Sequence, residues 1–348
     1  MMMNKHYYNS LQGLRAFAIG LIFVSHMGIF PVPGFGAGGV SLFLILSGFL
    51  MFINYNDKEI NDNLLIFGLN RIKKLYPLHI ICMLMMVILN VVMNKYSGIF
   101  RSILLHLTMT QTYFPIPSWY STLNGPAWYL CPTLLSYILF PLILKFVKNV
   151  NNNIMSLIGL FGFQIIIAMV ASTCLNIDKS ENLCIQWLVY YFPCTRVIDF
   201  VIGCVLGKVY CNRTNKEENS NSMIECACFV TFFLISTFVY NGLENIALLE
   251  AIKYTVIFTP ISCMIIFLLA EENGIISMLA RTRIAMYFGN LSGYIFLIHM
   301  VCIKWLTYFF DGRLYYGYTS FFIIGLTFLL SMIWKQLNDR RTNEKRCG

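Results

Sequence analysis

Runs of about 20 predominantly apolar residues recur from one end of this chain to the other, each long enough to cross a hydrocarbon core as a helix. In lipid no water is available to backbone N–H and C=O groups, so a spanning segment has to be a helix or part of a closed barrel. About ten windows qualify, at 11–30, 36–55, 75–94, 127–147, 154–175, 195–211, 223–241, 246–269, 284–310 and 315–336. None shows the ten-residue alternation of an outer-membrane barrel. Of 348 residues, 58% are hydrophobic and 12% charged, far more apolar surface than a soluble domain of this size can bury. The expected fold is therefore all-α, a polytopic bundle of about ten transmembrane helices. It forms one domain over 1–348, with its core at about 8–337 and a short basic tail at 338–348.

The charges orient the bundle. Most of the 25 Lys and Arg residues fall in alternate loops, among them Lys58, Arg71, Lys73, Lys74, Lys145, Lys148, Lys208 and Arg281. Cytoplasmic loops hold such an excess, so both termini are expected in the cytoplasm. The net charge of +9 then reflects membrane orientation, and nucleic acid is excluded as a partner because no basic soluble face exists to bind it. The 12 Cys are scattered, mostly inside apolar windows, with no disulfide framework and no zinc spacing. The first window lacks a small-residue cleavage site and reads as a retained signal anchor.

Polar residues inside these windows carry the functional information, because an ionisable group in a membrane helix normally faces protein or a water-filled cavity. Arg15 and His26 both lie in LQGLRAFAIGLIFVSHMGIF. Eleven positions come to about three helical turns, so both side chains share one face, roughly 16 Å apart along the axis. A neutral imidazole has a ring nitrogen free to take a proton from an attacking hydroxyl. Arg15 could instead snorkel to headgroups. His299 lies as deep in its own window as His26 does in the first, which suggests a shared polar cavity.

Other segments add to this. In GFGAGGVSLFLILSGFLMF the small residues suit close helix packing, and Ser47 is a candidate to orient His26. Arg71, Lys73 and Lys74 in NRIKKLYPLH sit at the cytoplasmic face, where they anchor the bundle or hold a phosphate-rich donor. Arg196 and Asp199 are three apart and can pair on one helix face near the outer leaflet, either as a structural pair or beside an acceptor. Between the third and fourth windows, Pro115, Pro117 and Pro126 argue against a continuous helix. The aromatics there, Tyr113, Phe114, Trp119, Tyr120 and Trp128, belong to an interfacial belt or stack on sugar rings. No GxSxG, Walker or HExxH motif occurs, so soluble-hydrolase, NTPase and zinc-protease chemistry lack support.

With these residues in view, the chain resembles the acyltransferase 3 family of integral membrane acyltransferases over nearly its whole length. The resemblance rests on Arg15 and His26 with ten residues between them, on GGVSLFLILSGFL, on RIKKLYPLH, and on PAWYLCPTLLSYILFP, TRVIDFVIGCVLG and LSGYIFLIH. It departs from the family pattern at Lys74, which stands where a second Arg is usual and lacks the planar fork for bidentate phosphate binding. The segment after Trp128 also lacks an acidic residue seen in many members.

The resemblance implies an O-acyltransferase of the bacterial cytoplasmic membrane. It would move an acyl group, acetyl above all, from acyl-CoA to a hydroxyl of a cell-surface glycan or lipid-linked precursor, with no tightly bound cofactor. His26 would act as general base or transient acyl carrier, Arg15 would guide the thioester, and Arg71, Lys73 and Lys74 would hold CoA phosphates. Ser47 and His299 would support His26, while Trp128, Arg196 and Asp199 would face the acceptor. No appended extracytoplasmic domain is read in the chain, so transfer is expected to finish in the membrane domain or be passed on. From the residues alone, a proton-coupled transporter or an envelope scaffold are the rivals.

Overall fold

The computed structural model describes residues 8–28, 32, 34–60, 62–95, 97–178, 182–213, 221–242, 246–310 and 318–347. Among them no strand forms and every apolar window carries helix, which makes the protein an all-α membrane bundle. The first half holds α1 (Asn9–Met27), α2 (Gly34–Tyr55), α3 (Leu64–Ile72), α4 (Tyr76–Val92), α5 (Ile99–Thr108), α6 (Pro117–Ser121), α7 (Leu130–Asn149) and α8 (Asn153–Cys174). The second holds α9 (Pro193–Cys211), α10 (Ser222–Leu234), α11 (Tyr240–Gly242), α12 (Ala247–Ile252), α13 (Thr259–Glu271), α14 (Ile275–Ala280), α15 (Arg283–Phe309) and α16 (Tyr318–Cys347).

Seven described helical segments are long and apolar enough to cross a membrane, or eight if α3 and α4, which meet at 64°, are one bent span. The ten windows differ from this in two places. The window at 195–211 is helical, but Arg196, Asp199 and Lys208 make it too charged for a purely apolar span. The window at 246–269, expected as one helix, is broken into α12 and α13 with turns at 253–258 between them. Pro260 in the first turn of α13 supplies no N–H, and its ring crowds the turn before it. Glu250 and Lys253 add two charges that only a protein interior can pair. Proline likewise breaks the 95–126 segment into α5, α6 and a 3-10 turn at Gly125–Tyr129.

Burial separates an inner layer from a lipid-facing one. In its most apolar stretch α2 is 72% buried and α15 61%, against 17% for α8 and α16. The outer helices instead expose Ile158, Phe163 and Ile166 on α8 and Phe321 and Leu329 on α16, as an acyl-chain solvent allows. Inner helices meet through glycines. A Cβ at Gly48 of α2 would strike the Phe200 carbonyl of α9, and one at Gly203 of α9 would strike the Ile45 carbonyl of α2. Gly289 of α15 lies in the same way on the Gln12 carbonyl of α1. These contacts bring backbones to a separation no larger residue permits, the usual device where helices cannot be driven together by water.

Candidate active site

α1 ends at Met27 because its cap, Gly28, takes a left-handed conformation at φ 65°, which stops the helix and leaves His26 in its last turn. There His26 lines a cavity of about 220 Å³ together with Ser25, Trp128, Gln186, Phe296 and four tyrosines, Tyr190, Tyr191, Tyr240 and Tyr254. His299 of α15 is fully buried beside it, its Nε2 lying 3.2 Å from His26 Nδ1.

Hydrogen bonding settles the tautomers. His299 Nδ1 lies 3.0 Å from the Ile295 carbonyl, and His26 Nδ1 lies 2.9 Å from the Ile22 carbonyl. A carbonyl only accepts, so both Nδ1 atoms carry the proton and donate. His299 Nε2 is then an acceptor, and the His26 Nδ1–H is shared between the Ile22 carbonyl and that nitrogen. By elimination His26 Nε2 bears a lone pair with no hydrogen-bond partner among the described residues, on the side of the ring away from Ile22 and His299. A base needs this arrangement, with one nitrogen held and the other available.

Arg15 opens onto a different cavity of about 510 Å³ at the other end of α1, shared with Gln12, Ser47, Asn54, Lys58, Arg71 and Tyr137. Along the helix Arg15 and His26 are separated by roughly 16 Å. Arg71 is held across the Tyr55 ring at 4.7 Å and the Phe67 ring at 5.1 Å, which fixes its planar guanidinium at the cavity wall. Lys58 packs on Tyr55 at 4.9 Å and brings a further cation to the site.

The basic triplet does not act as one cluster. Lys73 lines a third cavity with Leu69, Tyr76, Pro77 and Leu107, and Lys74 is exposed and lines none of these cavities. The helical turn at 71–74 points successive side chains in different directions, and only Arg71 meets Arg15. Ser47 corrects another expectation. Its hydroxyl pairs with Tyr137 at 3.1 Å in the Arg15 cavity and does not orient His26. α2 runs antiparallel to α1, and the His26 cavity meets it at Gly36, Ala37 and Val40, about 10 Å from Ser47 along the axis.

Arg196 and Asp199 form the expected pair at 2.9 Å, fully buried. Gln164 donates to Asp199 at 2.5 Å and Arg196 reaches the Ser41 hydroxyl at 3.4 Å. Neither charged side chain lines the cavity. The guanidinium lies 5.6 Å from the Tyr190 ring and so supports the cavity wall from behind. Trp128, 7% exposed, is a wall residue itself, its ring tilted against Tyr190 at 4.8 Å and edge-to-face with Tyr191 at 4.9 Å. Of the other outer aromatics, Tyr120 packs on Tyr191 at 4.6 Å, while Trp119 pairs with Arg101 and stays away from the cavity.

Sequence reading missed Tyr190, Tyr191, Tyr240, Tyr254 and the buried pair of Glu250 and Lys253 at 2.6 Å. The charges at Glu250 and Lys253 inside an apolar window, followed by Pro260, were the signal for the last three of these. The first three sit in or beside helix irregularities that carry no clear mark in composition. Among the described residues no three His, Cys, Asp or Glu side chains converge as metal ligands.

Residues 8–335 match the family described as acyltransferase domain, Acyl_transf_3. Over 222 residues the chain is 24% identical to acyltransferase MdmB of Streptomyces mycarofaciens, an alignment covering 58% of this chain and 57% of that protein. The chain thus spans a little over half the length of the curated relative it matches. No solved structure matches. An integral bundle with a held histidine at one end of its first helix and a cationic cavity at the other is thereby placed among known proteins: the chain belongs to the acyltransferase 3 family and carries that acyltransferase domain over residues 8–335.

Proposed function

We propose that the protein is a membrane O-acyltransferase of the bacterial cytoplasmic membrane, moving an acyl group, acetyl above all, from acyl-CoA to a hydroxyl of a cell-surface glycan or its lipid-linked precursor. The observation that carries this reading is His26, whose Nδ1–H is held while Nε2 remains free at a cavity, on the same helix that presents Arg15 to a cationic cavity. An extended pantetheine arm is of the same order of length as the roughly 16 Å between the two side chains. Arg15, Arg71 and Lys58 suit the phosphates of CoA, with the two guanidiniums offering planar forks.

In the transfer step the acceptor oxygen attacks the thioester carbonyl while His26 Nε2 takes the hydroxyl proton. The positive charge formed on His26 is shared through its Nδ1–H with His299 Nε2. The C–S bond then breaks, an ester forms, and the departing thiolate recovers the proton from His26 as free CoA thiol. A free Nε2 would also suit nucleophilic attack on the thioester, with an acyl-imidazole passed to the acceptor in a second step.

The broken span at α12 and α13 is a feature of transporters as well, so the test has to read chemistry. Reconstituted protein is given acetyl-CoA labelled in the acetyl group, with and without envelope extract, and free CoA and labelled acceptor are measured. We expect wild type to release CoA and His26→Ala to be slower by about 10²–10⁴-fold. Full activity in folded His26→Ala, or no thioester cleavage by wild type with extract present, overturns the reading and sends the question to uptake assays in liposomes.

A further inference from the structure

The wall of the His26 cavity is built where helices are interrupted. Tyr190 and Tyr191 lie in a π-helical turn at Trp187–Tyr191, closed by the Phe192 N–H donating to the Trp187 carbonyl at 2.8 Å. Tyr240 follows directly on a second π-helical turn, Ile235–Val239. Tyr254 sits in the turns that separate α12 from α13. Irregular backbone at membrane depth is tolerated where it is buried in protein or lines a polar cavity, and π-turns collect at functional sites. Three interruptions, the first well before the other two in the chain, deliver four tyrosines to one cavity.

These rings are held as a continuous cage. Tyr190 lies 5.3 Å from Tyr254 and 5.0 Å from Tyr191, and Tyr254 lies 6.0 Å from Tyr240. The Tyr254 hydroxyl donates to Glu250 at 2.6 Å, and Lys253, paired with the same carboxylate, lies 5.1 Å from the Tyr240 ring and 5.5 Å from the Tyr254 ring. Packing alone would not require a buried ion pair behind an aromatic wall, since two charges taken out of water cost more than apolar residues of the same volume.

Charge selects what the cage takes. Arg196 behind Tyr190 is paired with Asp199, and Lys253 behind Tyr254 is paired with Glu250, so these two cations behind the wall each face a carboxylate. Among the described residues no carboxylate, lysine or arginine lines the cavity, whose remaining polar groups are the amide of Gln186, the hydroxyl of Ser25, the indole N–H of Trp128 and His26 itself. Among the described lining residues an anionic ligand would find no lysine or arginine to pair with, whereas a neutral ring finds flat faces and neutral hydrogen-bonding groups. The volume, about 220 Å³, is below that of sites enclosing drug-sized molecules and suits a single ring.

Building on the acyltransferase reading above, we propose that the tyrosine cage is the acceptor subsite and takes one neutral, hydroxylated sugar ring, with uronic and other anionic sugars disfavoured. Glu250, Lys253, Arg196 and Asp199 are positioning residues that act through the tyrosines.

Saturation-transfer NMR on the full chain in nanodiscs, with methyl β-glucopyranoside, methyl β-galactopyranoside and the methyl glucuronoside as probes, tests this without relying on turnover. We expect saturation of the neutral rings to exceed that of the glucuronoside at least threefold. Tyr190→Leu should lower the neutral signal severalfold, and Tyr190→Phe, which keeps the ring face, should restore most of it. Equal or stronger saturation of the glucuronoside overturns the proposal, as does no signal from either neutral glycoside, or a Tyr190→Leu signal equal to wild type in protein that elutes as a folded species. Thioester cleavage measured on the same samples decides the acyltransferase reading separately. A cage that binds neutral rings in a protein that cleaves no thioester leaves the subsite standing and removes the transferase.

Discussion

His26 is positioned from three directions, and each makes a different demand on the residues around it. Gly28 ends the helix, the Ile22 carbonyl holds Nδ1–H, and His299 Nε2 shares the same proton. A hydrogen bond to a charged group contributes about 1.5–3 kcal/mol. Removing His299 from the charged state of His26 should therefore slow kcat by about ten- to hundredfold. We expect His299→Leu to show that loss with the KM for acetyl-CoA changed less than threefold, as steady-state kinetics will report. An equal fall in kcat and rise in KM would assign His299 to packing alone. At this scale the sequence singled out Arg15, His26 and His299 as polar groups in apolar windows, and the structure sets the two histidines side by side and Arg15 on a cavity of its own. The sequence was misleading about Ser47 and about Lys73 and Lys74, because proximity along the chain does not say which way a helical side chain turns.

Elements place these residues through close backbone approach. Gly48 and Gly203 let α2 and α9 touch, and through them the Arg196 and Asp199 pair on α9 stands behind Tyr190. Overpacking of a well-filled interior typically costs about 1–3 kcal/mol. Because backbone carbonyls face both glycines, Gly48→Val and Gly203→Val should fall at the upper end, and thermal unfolding in detergent should show a lowered midpoint for each. Gly159→Val, with open space around its position, should leave the midpoint within experimental error of wild type. The helical windows were legible because hydropathy is a local property. The break between α12 and α13 was not, since a window average counts Glu250 and Lys253 against many apolar neighbours and misses that they pair with each other inside the protein.

Across the whole molecule two cavities lie at opposite ends of α1, one lined by Arg15 and the other by His26. The Arg15 cavity lies at the end where Lys58, Lys148 and Lys208 meet, with Lys148 donating to the Lys58 carbonyl at 3.1 Å and Lys208 to the Val147 carbonyl at 2.9 Å. Their crowding makes this end the more basic one, and under the proposed function it is the side from which the donor would enter. Arg15→Ala and Arg71→Ala should each raise the KM for acetyl-CoA about tenfold, the value of one charge-assisted hydrogen bond. Lys145→Ala, exposed on α7 and outside the cavity lining, should change it less than twofold. Initial-rate kinetics at fixed ionic strength will separate these outcomes.

Composition and spacing were enough to establish a helical membrane protein and an Arg and a His on one face of its first helix, because hydropathy and helical phase are sums over neighbours in the chain. Tertiary structure alone decided that His299 Nε2 comes within hydrogen-bonding distance of His26 Nδ1, that the Arg15 cavity gathers Arg71 but not Lys74, and that three helix breaks converge as an aromatic cage. Those outcomes depend on how side chains from distant elements fill one volume, and no local average over the chain contains that volume.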